Sequence, residues 1–372
     1  MRFRKNSAKL TKPMITKVEQ TYHTDNWDKL LKKYRGSLFL STSWLESIKS
    51  RDKLPVYFLL KTGDKIKGLV AGLERPVGEG PEKQLFFYAG IASNCKQPDI
   101  INAWKKNLLE FCKQNGFHRI IFKSYDSYSI GKNTVKEFKP FKRKEFVIDL
   151  APEKEQVIKR IDRDTRRRVR KAKREGAEFK AGYSEELLEA LEKLMGNTFY
   201  IRSSKGYGSY QKFTMPFLDE EPIKKLLQKR AACFYYIEYQ SRIVSIQFAV
   251  ELTGKAYAVY MGTNEQGYKL AAPSVLFYET ILYLKSKGCT SYNIGAVPLG
   301  ETNQGIRKFK KDLGATIIES REESTDFLLK PLSKLNILLH LKRRVNKILI
   351  PWKIKKVLLQ IIDQIIGGRD KY

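Results

Sequence analysis

The sequence predicts an α/β (α+β) protein with two tandem domains, each a mixed β-sheet flanked by helices, and a basic helical tail at the C-terminus. Three observations support this prediction. The chain has 372 residues, which is enough for two domains that each bury a core. Its hydrophobic content of 42% and aromatic content of 12% are typical of globular proteins. The same order of strand and helix patterns occurs twice along the chain.

The first copy of this order lies in an N-terminal domain, which we assign to residues 1–150. Alternating apolar residues predict strands, and a turn interrupts them at Thr62-Gly63-Asp64. A helical pattern then ends at Gly116, a residue type that favours the C-terminal end of a helix. The predicted elements are two strands within 56–74, an apolar run at 85–91, a helix at 102–116 and a strand at 118–124.

The second copy lies in a C-terminal domain, which we assign to residues 151–330. Its predicted elements are two strands within 233–251, a third at 255–263, a helix at 273–288 and a strand at 290–296. Asp64 and Ser241, in the two turns, are 177 positions apart, and Gly116 and Gly288 are 172 positions apart. The similar offsets favour an internal duplication. The alternative is that two unrelated α/β domains share hairpins and helices.

The remaining residues, 331–372, predict an amphipathic helical tail that Pro351 interrupts. Its apolar stripes are Leu338, Leu341, Val345, Ile348 and Trp352, and then Ile354, Val357, Leu358, Ile361 and Ile365. Lysine and arginine residues accompany both stripes. This combination is typical of a helix that lies on an anionic lipid surface. Two helices that pack on the second domain would have the same pattern.

Charge and composition narrow the class of function. The formal net charge of +31 predicts attraction to polyanions such as RNA, DNA or anionic lipid. No CxxC pair occurs among the four cysteines, and the three histidines lie far apart, so neither a metal nor another cofactor is expected. The P-loop and dinucleotide-binding motifs are absent too. Because neither a secretory signal nor a long apolar stretch occurs, we expect a cytoplasmic protein, peripheral to the inner membrane face if its tail binds lipid.

A strongly basic run, IDRDTRRRVRKAKREG, opens the second domain. A continuous helix over 157–174 would collect Val157, Ile161 and Val169 in one apolar arc. Nearly all its cations then face water, either as a solvated surface or as an electrostatic collector for an anionic substrate. Arg168 falls inside the arc, so we predict that it points inward and contacts substrate.

A second helix is predicted over 303–315, with Ile306, Phe309 and Leu313 on one stripe. Lys310 lies at the edge of that stripe. A partly desolvated lysine interacts more strongly with a phosphate or a developing oxyanion. The alternative is a lysine that extends from the edge of the core into solvent.

Residues 197–213 combine cations and aromatic residues in what we predict to be a mobile loop. Arg202, Lys205 and Tyr210 suit contacts to phosphate, sugar or base, although an ordinary surface loop has a similar composition. Tyr260 and Asn303 complete the candidate substrate-binding residues.

Three segments resemble the Fem family of peptidoglycan aminoacyltransferases, and the resemblance spans roughly 38–320. They are LFLSTSWLESI around Trp44, TRRRVRKAKREGAEF, and YNIGAVPLGETNQGIRKFKKDLGA. The resemblance implies two GNAT-like domains that transfer an amino acid from aminoacyl-tRNA to the peptide of a cell-wall precursor. It also implies that Phe309 and Lys310 form the family's Phe-Lys motif, which holds the aminoacyl-tRNA end and stabilises charge during the reaction. Arg202 resembles the family's arginine for precursor phosphates.

The expected partners are therefore aminoacyl-tRNA and a peptidoglycan precursor, with the tail on an anionic membrane as a further contact. The family's long coiled-coil arm is not evident in the sequence. An acyl-CoA-binding acetyltransferase would usually have a Gly-rich pyrophosphate loop after its third strand, whereas this chain has NEQGYKLAAPS. Two alternatives stay open: an N-acyltransferase of the same superfamily that uses acyl-CoA or acyl carrier protein, and a non-enzymatic binder of nucleic acid or membrane.

Overall fold

In the computed structural model, one mixed β-sheet of 13 strands runs through the described residues. The structure describes residues 16–77, 82–95, 97–127, 135–206, 215–297, 303–325 and 357–358.

The first half of the chain contains seven of these strands. They are β1 Thr16–Thr21, β2 Leu54–Thr62, β3 Lys65–Pro76, β4 Lys83–Phe87, β5 Ala92–Ser93, β6 Phe117–Phe122 and β7 Phe138–Asp149. The helices of this half are α1 Trp27–Lys33, a short 3-10 helix Leu38–Leu40, α2 Thr42–Ile48 and α3 Pro98–Gln114.

The second half begins with helices and continues the sheet. Its helices are α4 Lys154–Arg160, α5 Arg163–Arg174, α6 Glu186–Ser204, α7 Glu220–Gln228, α8 Glu265–Lys269, α9 Ala272–Ser286 and α10 Gln304–Asp312. Its strands are β8 Glu178–Gly182, β9 Ala232–Tyr239, β10 Arg242–Leu252, β11 Lys255–Thr263, β12 Ser291–Ala296 and β13 Thr316–Thr325.

The two halves share one topology. In the first, β1, β2, β3 and β4 are antiparallel neighbours, and α3 leads to β6, which is parallel to β4. In the second, β8, β9, β10 and β11 are antiparallel neighbours, and α9 leads to β12, which is parallel to β11. Gly116 and Gly288 follow the equivalent helices with φ of 73° and 78°, a conformation that glycine adopts without steric cost. The predicted fold class is confirmed.

The halves also exchange their last strands. β7 pairs antiparallel with β12 of the second half, and β13 pairs antiparallel with β6 of the first. β7 and β13 pair with each other along ten residues of β13, so the sheet is continuous. The predicted boundary at 150 falls directly after β7, where the sheet does not break. The predicted tail, 331–372, lies outside the described residues except for Val357 and Leu358, which are exposed.

Side chains from both halves build one of the three hydrophobic cores found among the described residues. α1 and α2 contribute Trp27, Leu31 and Trp44, and α6 and α7 contribute Leu191 and Leu226, all buried. Fully burying a large apolar side chain is worth about 1.5–3 kcal/mol, so this shared core holds the halves together. Among the helices of the described ranges, none combines the length and apolar character needed to cross a membrane.

The basic run forms two helices, so the prediction of one continuous helix was wrong. Ile161 is extended at the end of α4, and Asp162 starts α5 by accepting hydrogen bonds from the amides of Asp164 and Thr165. Aspartate is a strong helix N-cap, which explains the break. The apolar stripe of α5 is consequently Thr165, Val169 and Ala172. Arg168 is exposed at its edge and donates to Thr165 Oγ1 at 3.0 Å, so the predicted inward orientation was wrong as well.

The segment around Arg202 also differs from the prediction. Residues 197–204 belong to α6 rather than to a loop, which places Arg202 on the last turn of that helix. Tyr210 lies outside the described residues.

Candidate active site

The parallel strands β11 and β12 separate soon after they start. They pair only from Lys255 with Ser291 to Tyr257 with Asn293. In the first half, β4 and β6 stay paired to Phe87 and Phe122, and further backbone hydrogen bonds follow. Ligands of α/β proteins usually bind where neighbouring strands diverge at their carboxyl ends. The gap between β11 and β12 is therefore the better candidate site of the two.

A bulge in β12 borders this gap. The register between β12 and β7 shifts between Asn293 and Ala296, and Gly295 within the bulge has φ of 84°. The amide of Gly295 donates to Asn293 Oδ1 at 2.9 Å. A Cβ atom at position 295 would lie 3.7 Å from Lys310 Nζ and 3.9 Å from the carbonyl oxygen of Ala258. Both distances are ordinary contacts, so it is the backbone conformation that favours glycine at this position.

Lys310 extends from α10 into this region. Its Nζ donates to the carbonyl oxygen of Ala296 at 3.1 Å and lies 5.5 Å from the ring centre of Phe146. Burial lowers the pKa of Lys310 to about 8, and Glu145 opposes this change while Arg143 adds to it. At neutral pH the lysine is therefore mostly a cation, in surroundings that solvate it poorly. Lys310 thus lies beside the apolar stripe of α10, as the helical periodicity of the sequence predicts.

Phe309 faces the core instead of the gap. It is half-buried, and its ring packs edge-on against Phe277 of α9 with 5.7 Å between centroids. This contact fixes α10 against the second half and so fixes the direction of its neighbour Lys310.

Glu145 of β7 is the centre of a buried polar network beside the gap, with only 3% of its surface exposed. Its Oε1 accepts from Arg143 Nε at 2.9 Å and from Tyr257 Oη at 2.6 Å. Its Oε2 accepts from the amide of Asp126 at 3.0 Å and from Asn293 Nδ2 at 2.8 Å. Sequence reasoning missed Glu145, although an acidic residue directly before the apolar run FVI was a usable signal.

The network continues to the segment at the start of the 3-10 helix Leu38–Leu40. Asp126, 1% exposed, accepts from Lys255 Nζ at 3.2 Å and from the amide of Leu38 at 3.1 Å. Lys255 Nζ also donates to the carbonyl oxygen of Gly36 at 2.9 Å. The candidate site is therefore built from both halves.

Two predicted substrate-binding residues meet at the N-terminal end of α10. Arg202 Nη2 donates to Asn303 Oδ1 at 3.5 Å, a long hydrogen bond that joins the end of α6 to the start of α10. Asn303 precedes Lys310 by seven residues, which is about 10 Å along a helix axis. Arg202 thus lies within reach of a substrate that also contacts Lys310.

Comparisons with known proteins address the fold. Residues 159–311 match the family model of the Acetyltransferase (GNAT) domain. A structure described as "Crystal structure of FemX" aligns with a TM-score of 0.64 and 15% identity, over 85% of this chain and 99% of that chain. The chain has a FemX-like fold. The resemblance to the Fem family is thereby confirmed for the fold, and the GNAT match supports an acyltransferase.

Two further structures are similar to this chain. A conserved protein of unknown function from Bacteroides thetaiotaomicron VPI-5482 has a TM-score of 0.50 and 12% identity, over 78% of this chain and 91% of that one. L-PGS from Bacillus licheniformis has a TM-score of 0.49 and 17% identity, over 83% and 95%. No curated protein sequence matches the chain.

In this FemX-like fold the segment after β11 forms a closed turn. Asn264 Oδ1 accepts from the amide of Gly267 at 2.8 Å and so caps the short helix α8. The amides of Tyr268, Leu270 and Ala271 bond to carbonyl oxygens within the same turn. A pyrophosphate loop instead needs amides that point at the ligand.

Three other predicted site residues, Tyr260, Lys205 and Arg168, make contacts outside the network of Lys310 and Glu145. Tyr260 is buried, and its hydroxyl donates to the carbonyl oxygen of Leu218 at 3.1 Å. Lys205 is exposed just beyond the end of α6. The pKa of Glu265 is lowered mainly by its hydrogen bond from Lys269, and the charge of Lys205 lowers it a little further. Arg168 lies near Lys308, whose pKa is raised by its hydrogen bond to Asp312. Within the described ranges, no group of three or more His, Cys, Asp or Glu side chains could hold a metal ion.

Proposed function

We propose that this protein is an aminoacyltransferase that moves an amino acid from aminoacyl-tRNA to the peptide of a peptidoglycan precursor. The observation that carries the proposal is the poorly solvated ammonium of Lys310 beside the gap between β11 and β12. Its pKa of about 8 leaves it charged at neutral pH, ready to stabilise negative charge.

The acceptor amine attacks the ester carbonyl carbon of the donor and forms a C–N bond. Negative charge then develops on the carbonyl oxygen, where Lys310 donates a hydrogen bond. A charge-assisted hydrogen bond in a region of low dielectric is stronger than one in water. The C–O bond to the ribose breaks, and the proton that the amine loses passes to the leaving ribose oxygen. The amide product and a free ribose hydroxyl result.

The turn after β11 favours tRNA over acyl-CoA as the donor. Amides of Gly267, Tyr268, Leu270 and Ala271 are engaged inside the turn, and Pro273 has no amide hydrogen to offer a pyrophosphate. A net charge of +31 suits a polyanionic donor. Exposed arginines on α5 add to the attraction at long range.

The acceptor's phosphates would contact Arg202 and Lys205 at the end of α6. An arginine guanidinium binds phosphate oxygens through two parallel hydrogen bonds. Asn303 orients Arg202, and Phe309 holds α10 in place near the tRNA end. Substrate contacts of Arg168, Tyr210 and Tyr260 stay predictions.

One assay tests the function and its alternatives together. The protein is incubated with a precursor and either charged tRNA or acyl-CoA, and transfer of a radiolabelled acyl group is followed. Transfer from tRNA that falls about 100- to 1,000-fold in Lys310→Ala supports the proposal, because removing one oxyanion donor has an effect of this size. Lys311→Ala, an exposed lysine on the same helix, is the matched control and should retain activity.

The other outcomes identify the alternatives. Transfer from acyl-CoA without tRNA would identify an N-acyltransferase, which the GNAT domain match over 159–311 also suits. Binding of nucleic acid or vesicles that falls steeply with salt, without any transfer, would identify a non-enzymatic binder.

A further inference from the structure

A series of hydrogen bonds connects a buried carboxylate of the first half to Lys310. Glu145 Oε2 accepts from Asn293 Nδ2 at 2.8 Å, and Asn293 Oδ1 accepts from the amide of Gly295 at 2.9 Å. The next residue, Ala296, uses its carbonyl oxygen to accept from Lys310 Nζ at 3.1 Å. Each partner in this series therefore holds the next one.

The bulge at Gly295 needs such support because β12 has already left β11. A strand that leaves its neighbour must find other partners for its backbone groups. Asn293 provides one for the amide of Gly295, and β7 provides another, since the amide of Val297 donates to the carbonyl oxygen of Lys144 at 2.8 Å. The position of the Ala296 carbonyl oxygen depends on both.

Glu145 is itself held firmly. Besides Asn293, it accepts from Arg143 Nε, from Tyr257 Oη and from the amide of Asp126, at 2.6 to 3.0 Å. These donors come from β7, from β11 and from the segment after β6. Hydrogen bonds to a charged acceptor in a buried network are strong and directional, so the carboxylate is fixed in one orientation.

We infer that Glu145 and Asn293 are positioning residues, which fix the bulge on which the Lys310 ammonium docks without touching the substrate themselves. The catalytic meaning of this inference rests on the proposed function, whereas the docking of Lys310 does not. The first half of the chain thereby controls a catalytic group of the second half.

The charges around Lys310 agree with this arrangement. Burial lowers its pKa most, Glu145 raises it and Arg143 lowers it, and both of these side chains belong to β7. Lys308 and Lys311 are exposed neighbours on the same helix. Loss of the Glu145 charge removes the interaction that raises the pKa of Lys310, so this pKa should move further below about 8.

The test measures Lys310 directly in the full-length protein without substrate. Trace acetic anhydride labels the neutral amine, and mass spectrometry of the peptide gives the labelling rate from pH 6 to 10. In Glu145→Gln we expect the midpoint to fall by about one pH unit, the low end for loss of a nearby opposite charge. Glu322→Gln is the matched control, because Glu322 also pairs with Arg143, at 3.4 Å, and should leave the midpoint unchanged.

A second variant separates positioning from general damage. Asn293→Ala keeps every charge but removes the acceptor for the Gly295 amide. We expect kcat to fall about tenfold with KM for both substrates unchanged, since a displaced catalytic group impairs the chemical step alone. Thermal melting shows whether Glu145→Gln and Asn293→Ala are folded. If one of them is not, the other one tests the inference.

Either of two results would overturn the inference. One is a labelling midpoint of Lys310 in Glu145→Gln that equals the wild-type midpoint, and the other is a kcat of Asn293→Ala within twofold of the wild-type kcat. Failure of the proposed function gives a different result: the wild type would then show no transfer from charged tRNA, or Lys310→Ala would retain it, while the labelling midpoint still shifts in Glu145→Gln.

Discussion

Transfer by the wild-type protein should lose rate above pH 8, and Lys310→Arg should not. The pKa of Lys310 is about 8, so roughly nine-tenths of the molecules have a protonated lysine at pH 7 and roughly one-tenth at pH 9. If the ammonium stabilises the oxyanion, the rate of the chemical step falls about tenfold over this range. An arginine keeps its charge throughout, because the pKa of a guanidinium lies far above this pH range.

The ratio of the two rates isolates this effect. Single-turnover transfer from charged tRNA is measured at saturating acceptor from pH 6.5 to 9 for both proteins. Ionisation of the acceptor amine and hydrolysis of the donor ester affect both proteins equally and cancel in the ratio. Lys310→Arg will be slower at pH 7, because its longer side chain does not fit the contact with Ala296.

The expected ratio of wild-type to Lys310→Arg rate falls about tenfold between pH 7 and pH 9. A ratio that stays constant within twofold would refute the role of the protonated lysine. A ratio that rises with pH would instead identify the neutral amine as a general base.

Three further predictions concern stability and binding. Lys310→Met should stabilise the fold at pH 7 by about 1–2 kcal/mol in urea denaturation, a value discounted for the partial exposure of the side chain. Because the pKa of Lys310 falls on folding, this gain is complete below pH 8 and disappears as the pH rises towards the ordinary lysine value. Gly262→Ala should destabilise by about 1–3 kcal/mol, since its Cβ would lie 2.4 Å from the backbone of α6. Gly196→Ala should stabilise the fold by about 0.5–1 kcal/mol, because a Cβ added at this position inside α6 would meet nothing within 4 Å. A Gly262→Ala variant that melts at a higher temperature than Gly196→Ala would contradict this packing. Arg202→Ala should raise KM for the precursor at least tenfold, and Asn303→Ala should raise it less. In a double-mutant cycle, the free-energy change of the double variant should be smaller than the sum of the two single changes, because the two side chains contact each other.

Much of the fold was predictable because local patterns encode it. The turn at 62–64, the strands around it and the glycines that follow α3 and α9 all have short-range signals. The exchange of β7 and β13 was not predictable. Nothing in either strand specifies a partner more than 140 residues away, since the short apolar run at 146–148 of β7 fits many central positions in a sheet and β13 is mostly polar.

Some residues of the candidate site were likewise predictable from local patterns, and others were not. Lys310 was identified from the wheel of one short helix, and the local geometry of α10 is enough to place it at the core's edge. Arg168 was misplaced because the wheel ran through the break at Ile161 and Asp162, although aspartate before a new helix is a readable stop and start. Glu145 was missed because three of its four donors come from other segments of the chain, and only the assembled sheet brings them together.

The exchanged strands also determine when the protein becomes complete during its synthesis. Thr316 of β13 bonds to Val147 of β7, 169 positions earlier in the chain. Closing so long a loop is slow, and until β13 has left the ribosome both β6 and β7 lack their neighbour. Unpaired strand edges associate readily with other chains. The nascent protein is therefore most prone to aggregate between synthesis of residues 149 and 325, and its Lys310 site is unsupported until that interval ends.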